Sequence, residues 1–322
     1  SEKPVRREVK LSFVEDFFLS GTAAVVSKTL AAPIERIKMV KQNEDEMIKK
    51  GTLERRFTGI GDCGQWIMKN EGFLAFWKSN FTNCIRYFPT QALNFSFKGQ
   101  VQQIGMLKVA RDDSYGVKLA KNITSGGIAG GGSLLFVYSL DYARTRLSND
   151  LKSSKKGGAR EFNGLIDVYR KTMAAEGIRG LYAGFNISFV GIFVYRGLYF
   201  GLYDTIMPLV PAESTNLATR FVVGYCVTVA AGLASYPIDT IRRRMMMVAG
   251  ADAAMKYKGS LDCAAYILKN EGVKSYFKGA GANILRGIAG AGVLSGFDTL
   301  VQFYVQQVYG AGAYAKISGG GG

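Results

Sequence analysis

Six long apolar segments alternate with polar links along the chain. They cover residues 13–42, 79–105, 118–146, 187–209, 217–245 and 280–308. At about 1.5 Å of rise per residue, each is long enough to cross a hydrocarbon layer of about 30 Å as an α-helix. A short amphipathic pattern in each of the three long links predicts a further helix there. The pattern therefore predicts an all-α membrane protein with six transmembrane helices and three short amphipathic helices.

Every one of these apolar segments is interrupted by charge. The charged positions are Lys28, Arg86, Asp141, Arg196, Asp239 and Arg286. Charged side chains at membrane depth usually face the interior of a helix bundle or a water-filled cavity. Six buried helices of a large soluble protein are the alternative, but the polar links are too small to cover six such helices. We therefore expect the charges to line a central cavity.

Four sequence markers recur three times in the same order, which indicates internal repeats. They are a proline or serine at Pro33, Ser139 and Pro237, an aromatic-x-glycine ending at Gly59, Gly164 and Gly259, a Glu-Gly pair, and an aromatic at Trp77, Tyr182 and Phe277. The predicted repeats of about 100 residues span 1–112, 113–212 and 213–310. Residues 311–322 end in four glycines and are expected to be a flexible tail or a cloning remnant.

Each first marker is followed by an acid and then, three residues later, by a base. The pairs are Glu35 and Lys38, Asp141 and Arg144, and Asp239 and Arg242. This spacing places both side chains on one helix face, so they can pair within a helix. Three helices that meet at their ends can instead pair around a ring, as Glu35 with Arg144, Asp141 with Arg242, and Asp239 with Lys38. Pro33 and Pro237 are expected to bend their helices inward, and Ser139 to do so more weakly through its hydroxyl.

The composition narrows the chemistry. A formal net charge of +16 points to an anionic partner, which can be nucleic acid, acidic lipid or a polyanionic solute. The chain has no histidine, and its four cysteines are isolated, so a metal site, a disulfide scaffold and a cofactor are not expected. Without a nucleophile–base pair or a P-loop, an enzyme is the weakest interpretation. A basic helical-repeat protein that binds nucleic acid explains the charge but not the membrane-length segments.

Six crossings place both termini on one side of a membrane and the three long links on the other. The links carry Lys49, Lys50, Arg55, Arg56, Lys152, Lys155, Lys156 and Arg160. The positive-inside rule therefore places the links on the electrically negative side.

These features together resemble the mitochondrial carrier family, from about Phe13 to Val308. The stretch Arg242-Arg243-Arg244-Met245-Met246-Met247 is similar to the signature of its ADP/ATP-exchanging members, and residues 85–95 are similarly close. The resemblance implies a monomeric antiporter that exchanges metal-free ADP for ATP by alternating access. It also implies the mitochondrial inner membrane, with both termini toward the intermembrane space. Another anion or nucleotide carrier of the family, such as an ATP-Mg/phosphate exchanger, and a proton-leak carrier remain the alternatives.

Two guanidiniums and one glycine occupy equivalent positions of the three repeats, nine residues after the last aromatic marker. These residues are Arg86, Gly191 and Arg286, and Lys28 adds a third cation. A nucleotide has the same asymmetry, with a charged phosphate tail and a flat apolar base, and arginine binds phosphate bidentately. The resemblance implies that the three cations bind phosphates and that Gly191, Ile192 and Tyr195 form a slot for adenine, with Ser235 nearby. Structural pairing of the cations is the alternative.

The resemblance also implies two gates. It favours the ring pairing as a plug that closes the matrix side, braced by Gln42. The cytoplasmic gate is incomplete, because the remnants Tyr203-Asp204 and Phe297-Asp298 lack their bases. The positions that depart from the family pattern are Gly99, Gln102, Met207 and Val301. This gate is therefore predicted to be weak, and the resting protein to favour the outward-open state.

The last expectation is a set of lipid sites at glycines that precede predicted helices. Helix N-termini bind anions through free N–H groups, and the resemblance implies cardiolipin at Gly59, Gly164, Gly259 and Gly279. Ser79 and Ala183 depart from the second lipid motif. Glycine as simple helix punctuation is the alternative.

Overall fold

A computed structural model of the chain describes residues 7–8, 12–87, 89–90, 93, 112–152, 160–210, 217–249, 257–310 and 313–314. In the first repeat the described helices are α1 (Phe13–Gln42), α2 (Glu44–Lys49), α3 (Ile60–Glu71) and α4 (residues 80–87). A 3₁₀ helix, Phe73–Trp77, joins α3 to α4. Residues 89, 90 and 93 are also helical, and the rest of the predicted segment 79–105 lies outside the described residues.

The second and third repeats follow the same order. The helices of the second are α5 (Tyr115–Asn149), α6 (Leu165–Glu176), α7 (Ile178–Leu181) and α8 (Phe185–Ile206), followed by a 3₁₀ turn at Met207–Leu209. Those of the third are α9 (Leu217–Val248), α10 (Ser260–Asn270) and α11 (Ala280–Tyr309), with a 3₁₀ helix at Val273–Phe277. The long helices α1, α5, α8, α9 and α11 begin and end within three residues of the predicted apolar segments.

The predicted amphipathic helices are present as α3, α6 and α10, and glycines set their ends. The glycine of each Glu-Gly marker has a positive φ, which is 88° at Gly72, 65° at Gly177 and 83° at Gly272. A positive φ turns the chain out of the helix, and glycine adopts it without steric strain. The Glu-Gly marker is therefore a stop signal for these helices.

Three described stretches of helix are long and apolar enough to cross a membrane. They are Tyr115–Asn149, Ile178–Tyr203 and Val222–Val248. Large apolar side chains such as Phe18, Phe136 and Val222 are exposed on the long helices, as expected for surfaces that face lipid. Six spans stay a prediction from the sequence.

The bundle is tightly packed at one end. On α5 every residue from Asp141 to Asn149 is buried, whereas few residues of its first half are. The corresponding ends of α1 and α9 are buried in the same way, and the main hydrophobic clusters join them to α3 and α6. We call this region the closed end. The N-terminal halves of α5 and α9 are mostly half-buried or exposed.

Glycines allow α5 and α8 to approach closely. A Cβ atom on Gly127 would lie 2.3 Å from Phe193, and one on Gly131 would lie 2.2 Å from Phe189. The four-residue glycine spacing in the third segment therefore marks a helix contact, as small residues do between membrane helices. In the fifth segment the same inference is wrong for Gly232, because a Cβ there would have no neighbour within 4 Å.

The chain departs from an all-α fold at its two ends. Arg7–Glu8 (β1) pairs in parallel with Ala313–Tyr314 (β2). Ala313 also joins an apolar cluster with Val301 and Val305 of α11, so the prediction of a flexible tail is wrong for these two residues. This contact brings both ends of the chain together beside α1 and α11.

Candidate functional site

Three cations on three different helices form the first part of the site. Lys28 lies on α1, Arg86 on α4 and Arg286 on α11, and all three are half-buried. Among the described residues neither Lys28 nor Arg286 has an acidic side chain within ion-pair distance. Lys28 Nζ instead lies 5.8 Å from the centre of the Tyr87 ring, and Arg286 donates to Asn283 of its own helix at 3.3 Å. Within the described part of the chain, these two cations thus lie inside the bundle without an ion pair of their own.

The third cation is shared with the ring of acids and bases at the closed end. Arg86 Nη1 lies 3.7 Å from Oδ1 of Asp141. The alternative of structural pairing therefore holds in part for Arg86. Arg86 thus lies within reach of both the bundle interior and this ring.

The residues predicted to form an adenine slot lie along α8 but face different neighbours. A Cβ on Gly191 would lie 3.0 Å from Ile238 of α9, so a close helix approach accounts for this glycine. Ile192 packs against Gly130 of α5. Tyr195 begins a stack of tyrosines, and its ring centre lies 6.3 Å from that of Tyr199. Of these three residues, Tyr195 has the flat surface that a base requires.

Two further polar residues, Ser235 and Arg196, have contacts inside the bundle. The hydroxyl of Ser235 donates to the carbonyl of Ala231 in its own helix at 2.8 Å. The guanidinium of Arg196 packs on α5, where a Cβ on Gly126 would lie 2.6 Å from Nη1. The small residues of α5 thus make room for Arg196 as well as for aromatic rings.

The acids and bases of the three first markers pair around a ring at the closed end. Arg144 pairs with Glu35, Arg242 with Asp141, and Lys38 with Asp239 at 3.4 Å. Each pair joins two different repeats. The alternative of pairing within a helix occurs here as one long contact, 4.0 Å between Arg242 and Asp239. We call these six residues the gate ring.

Second partners hold the carboxylates of the gate ring. Asn83 of α4 donates to Glu35 at 3.0 Å, on the oxygen that Arg144 leaves free. Gln42 donates to Asp239 at 3.2 Å and to Thr240 at 3.0 Å. The hydroxyl of Ser139, which was expected to bond within its own helix, accepts from Tyr169 instead.

Several arginines that the sequence left without a role join the repeats to one another. Arg36 donates to Glu71 at 2.9 Å and reaches the carbonyl of Leu147 on α5. Arg146 donates to Glu161 at 2.6 Å and to main-chain carbonyls at the end of α9. The signal that could have identified Arg146 is a second base two residues after Arg144, repeated in the third repeat.

That second base in the third repeat is Arg244, and it is fully buried. Its guanidinium lies 2.7 Å from Glu271, 3.2 Å from Asp45 and 3.5 Å from Glu46, so it joins α9 to α2. Arg243 donates to Asp239 at 3.0 Å. These two arginines therefore have structural partners at the closed end, which the sequence alone had not assigned.

The methionines that follow are packing residues. Met246 and Met247 are buried in two separate apolar clusters, and Met245 packs against a third. Methionine adapts well to irregular apolar gaps. The six-residue stretch 242–247 is thus a junction at which the third repeat contacts the other two.

Outside the long helices, ion pairs shift the pKa of several carboxyl groups. Burial opposes the ionisation of Asp45, but hydrogen bonds and the charges of Lys278 and Arg244 outweigh it and lower its pKa to about 2. Glu271 shows the opposite direction, because burial and the neighbouring Asp45 raise its pKa. The hydrogen bond from Arg55 lowers the pKa of Asp62. The closed end therefore holds charged groups that depend on one another.

The remnants of the second gate lie at the other ends of α8 and α11. Gly99 and Gln102 lie outside the described residues. Asp204 lies in α8, and Phe297 and Asp298 lie in α11. Tyr203 stacks on Tyr199 with ring centres 6.1 Å apart. Val301 is 2% exposed in an apolar cluster with Leu19 and Val305. An apolar contact thus occupies one position where the family pattern has a base.

The glycines assigned to lipid lie at helix starts. Gly59, Gly164 and Gly259 precede α3, α6 and α10 without a side-chain cap, and a Cβ on any of them would meet open space. Gly279 precedes α11 with φ of 82° and lies close to the carbonyl of Lys38. Gly184 has the same conformation before α8, and Ser79, at φ of 75°, is the strained counterpart in the first repeat.

Comparison with known proteins identifies relatives that cover most of the chain. A sequence profile described as "Mitochondrial carrier protein" matches residues 9–108, 116–214 and 213–308. The ADP,ATP carrier protein of Neurospora crassa is 61% identical over 291 residues, which is 89% of this chain and 92% of that protein. The ADP,ATP carrier protein of Chlamydomonas reinhardtii is 57% identical, over 94% of this chain and 97% of that protein. The mitochondrial ADP,ATP carrier protein 1 of Gossypium hirsutum is 58% identical, over 94% and 78%.

Proposed function

The chain belongs to the mitochondrial carrier family, and we propose that it exchanges ADP for ATP across the mitochondrial inner membrane by alternating access. The observation that carries this proposal is the identity of 57–61%, across all three repeats, to proteins named ADP,ATP carriers. The relatives are transporters rather than enzymes. The arrangement of cations above a closed ring of ion pairs fits the same activity.

The phosphates of the nucleotide are bound by Lys28, Arg86 and Arg286. The lack of an acidic partner for Lys28 and Arg286, among the described residues, supports this role. Arginine offers phosphate two parallel hydrogen bonds, and lysine adds a mobile point charge. The base stacks on Tyr195, beside Gly191, Ile192 and Ser235. Metal-free nucleotide is the substrate, because bound Mg²⁺ would neutralise the phosphate charge that these cations recognise.

The gate ring is the matrix gate of the transport cycle. Its three pairs join neighbouring repeats, so they must separate when the bundle opens at the closed end. Binding shifts a conformational equilibrium only by the difference in its affinity for the two states. The nucleotide therefore has to bind more tightly as the gate opens than while it is closed. An empty carrier lacks this compensation, which makes transport an exchange.

The cytoplasmic gate is weak, so the resting protein favours the outward-open state. The missing bases at 102, 207 and 301 and the missing acid at 99 support this. Tyr203, Asp204, Phe297 and Asp298 remain as its partial remnant. The apolar packing of Val301 supplies a contact of another kind between α11 and α1.

In the membrane the chain is a multi-pass monomer with both termini toward the intermembrane space. The basic links and the short helices α3, α6 and α10 lie on the matrix side, in keeping with the positive-inside rule. Cardiolipin binds at the helix starts marked by Gly59, Gly164, Gly259 and Gly279. The uncapped N-termini of α3, α6 and α10 support these sites, because their N–H groups can donate to a lipid phosphate.

The direction of exchange follows from charge. Replacing ADP by ATP moves about one net negative charge across the membrane, worth about 2.3 kcal/mol per 100 mV. A matrix-negative potential therefore favours export of ATP and import of ADP. An imposed potential should change the rates of the two directions oppositely.

Proteoliposomes test the assignment directly. Vesicles loaded with ADP are challenged with labelled external ATP, ADP, AMP, GTP and phosphate, and uptake is compared with that of empty vesicles. We expect rapid uptake of ADP and ATP into loaded vesicles and little uptake of the other solutes. Uptake of phosphate without nucleotide exchange would contradict the proposal and favour a different carrier of the family.

A further inference from the structure

The helix α4 contacts two carboxylates of the gate ring at once. Asn83 donates to Glu35 at 3.0 Å, and Arg86 lies 3.7 Å from Asp141. The two side chains are three residues apart, which places them on one face of the helix. Glu35 belongs to the same repeat as α4 and Asp141 to the next repeat. A single turn of helix therefore bridges two of the three ion pairs.

At both carboxylates the two oxygens are divided between the ring and α4. On Glu35, Oε1 pairs with Arg144 and Oε2 accepts from Asn83. On Asp141, Oδ2 pairs with Arg242 and Oδ1 faces Arg86. An ionised carboxylate only accepts hydrogen bonds, so the amide nitrogen of Asn83 must face Glu35. The ring and α4 thus hold these acids from opposite sides.

The third carboxylate is held in another way. Asp239 is contacted by Lys38, Gln42 and Arg243, which lie on α1 and α9, the first helices of their repeats. The counterpart of Asn83 in the third repeat is Asn283, six residues after Phe277, and its amide oxygen accepts from Arg286 instead. Among the described residues, α4 is therefore the one second helix of a repeat that donates to the gate ring in this way.

We propose that Asn83 is a positioning residue through which nucleotide binding at Arg86 loosens the matrix gate. This inference rests on the proposed exchange function and on Arg86 as a phosphate-binding residue. A phosphate competes with Asp141 for the guanidinium, and it competes well because Arg242 already neutralises that carboxylate. Arg86 then moves toward the nucleotide, and the rigid helix carries Asn83 away from Glu35. Two ring carboxylates lose their second partner in one movement.

The contact between Asn83 and Glu35 lies in a confined place. Asn83, Glu35 and Arg144 line a small cleft of about 10 Å³ between the first and second repeats, which has room for about one water molecule. Asn83 itself is 2% exposed, so its contact with Glu35 is shielded from water. A hydrogen bond to a charged group in such a setting is strong enough to influence a gate without locking it.

The test compares exchange with uncoupled uptake. Proteoliposomes carrying Asn83→Ala are assayed for ADP uptake when loaded with ADP and when empty, and the ratio of the two rates is measured. Without Asn83 the closed gate is less stable and the empty carrier can reorient, so we expect this ratio to fall by about threefold or more. Asn83→Asp places a second carboxylate beside Glu35 and should lower the ratio further.

The matched control is Asn80→Ala on the same helix. Asn80 also donates to α1, to the hydroxyl of Thr29 at 3.0 Å, but among the described residues it forms no hydrogen bond with the gate ring. It should leave the ratio unchanged even if thermal stability falls. If wild-type protein exchanges ADP and Asn83→Ala behaves like Asn80→Ala, the role of Asn83 is wrong. If wild-type protein fails to exchange ADP, the proposed function itself fails.

Discussion

Lys38 and Asp239 form the ion pair that closes the gate ring between the first repeat and the third, with Nζ 3.4 Å from Oδ2. The first and third repeats are not adjacent along the chain, so these two residues meet only in the folded bundle. The same oxygen of Asp239 also accepts from Gln42 and Arg243. This carboxylate is therefore the most heavily hydrogen-bonded acid of the ring.

Reversing one charge of this pair should slow transport strongly, and reversing both should restore part of the rate. Lys38→Glu places two carboxylates against each other, and we expect the exchange rate to fall by about tenfold or more. The double variant Lys38→Glu with Asp239→Lys regains opposite charges and should recover several-fold over the single variant. Exchange in ADP-loaded proteoliposomes measures both effects. A double variant no better than the single one would show that the pair has no gating role.

The cations proposed to bind phosphate should determine the apparent affinity of the protein for ADP. Arg286→Ala removes a guanidinium that has no acidic partner among the described residues, and we expect the half-saturating ADP concentration to rise by about 10- to 100-fold. Arg286→Lys keeps the charge but loses bidentate binding, so its effect should be smaller. Arg179→Ala, an exposed arginine on α7, is the control and should leave the value unchanged. An Arg286→Ala protein with wild-type affinity would exclude a phosphate contact.

Acid should weaken the closed end through Asp45. Its pKa is lowered to about 2, because Lys278 and Arg244 stabilise the carboxylate more than burial destabilises it. A depressed pKa contributes stability above the ordinary pKa of about 3.9, and this contribution is lost as pH falls toward 2. Asp45→Asn should therefore be less stable than wild type at pH 6, by about 2 kcal/mol, and the difference should shrink toward pH 3.

Thermal unfolding in detergent between pH 6 and pH 3 measures this difference. The control is Glu54→Gln, which alters an exposed carboxyl on the same link and should change the midpoint little at any pH. A gap between Asp45→Asn and wild type that stays constant over this range would contradict the role of the charge.

The sequence predicted much of this fold because its signals repeat. The apolar segments gave the ends of five long helices to within three residues, and the acid–base spacing offered the ring as one of two arrangements. The choice between the two required coordinates, since residues three apart on a helix can pair with each other or across a bundle. In the structure, Glu35 and Arg144 pair across the bundle.

The parts that the sequence missed depend on single contacts between repeats. Asn83 carries no charge and has no repeated signal, because its counterparts are Ser188 and Asn283 with other partners. Arg244 belongs to a stretch that is similar to a family signature, and the sequence assigns it no contact; its burial among Asp45, Glu46 and Glu271 shows a structural position. A motif marks a family, but only packing shows which of its residues touch the substrate.

The contact between α5 and α8 should be sensitive to single methyl groups. Gly127→Ala places a Cβ 2.3 Å from Phe193, so the helices must separate, and we expect a loss of about 1–3 kcal/mol. Gly201→Ala on α8 is the control, because its Cβ meets nothing within 4 Å. That change should be neutral or stabilising, since alanine favours helix by up to about 1 kcal/mol. Equal midpoints for the two variants would contradict the close approach of these helices.

The last prediction concerns the cytoplasmic gate, and the burial of Val301 limits which substitutions can test it. Lysine at 102, 207 and 301 with an acid at 99 would restore the family pattern, but Val301 is 2% exposed in an apolar cluster. Val301→Lys would bury a charge and should lower the unfolding midpoint by several degrees, corresponding to about 1–3 kcal/mol. The informative variant therefore combines Gly99→Asp, Gln102→Lys and Met207→Lys and leaves Val301 in place.

If the outer gate is weak, this triple variant should stabilise the state that is open to the matrix. Each new ion pair contributes at most about 1 kcal/mol, so the population of that state should rise by up to about fivefold for each pair that forms. Labelling of a Ser235→Cys reporter by an impermeant matrix-side reagent, in protein without its native cysteines, measures the population, and exchange gives the rate. Wild-type labelling together with a wild-type rate would show that the missing bases do not set the resting state.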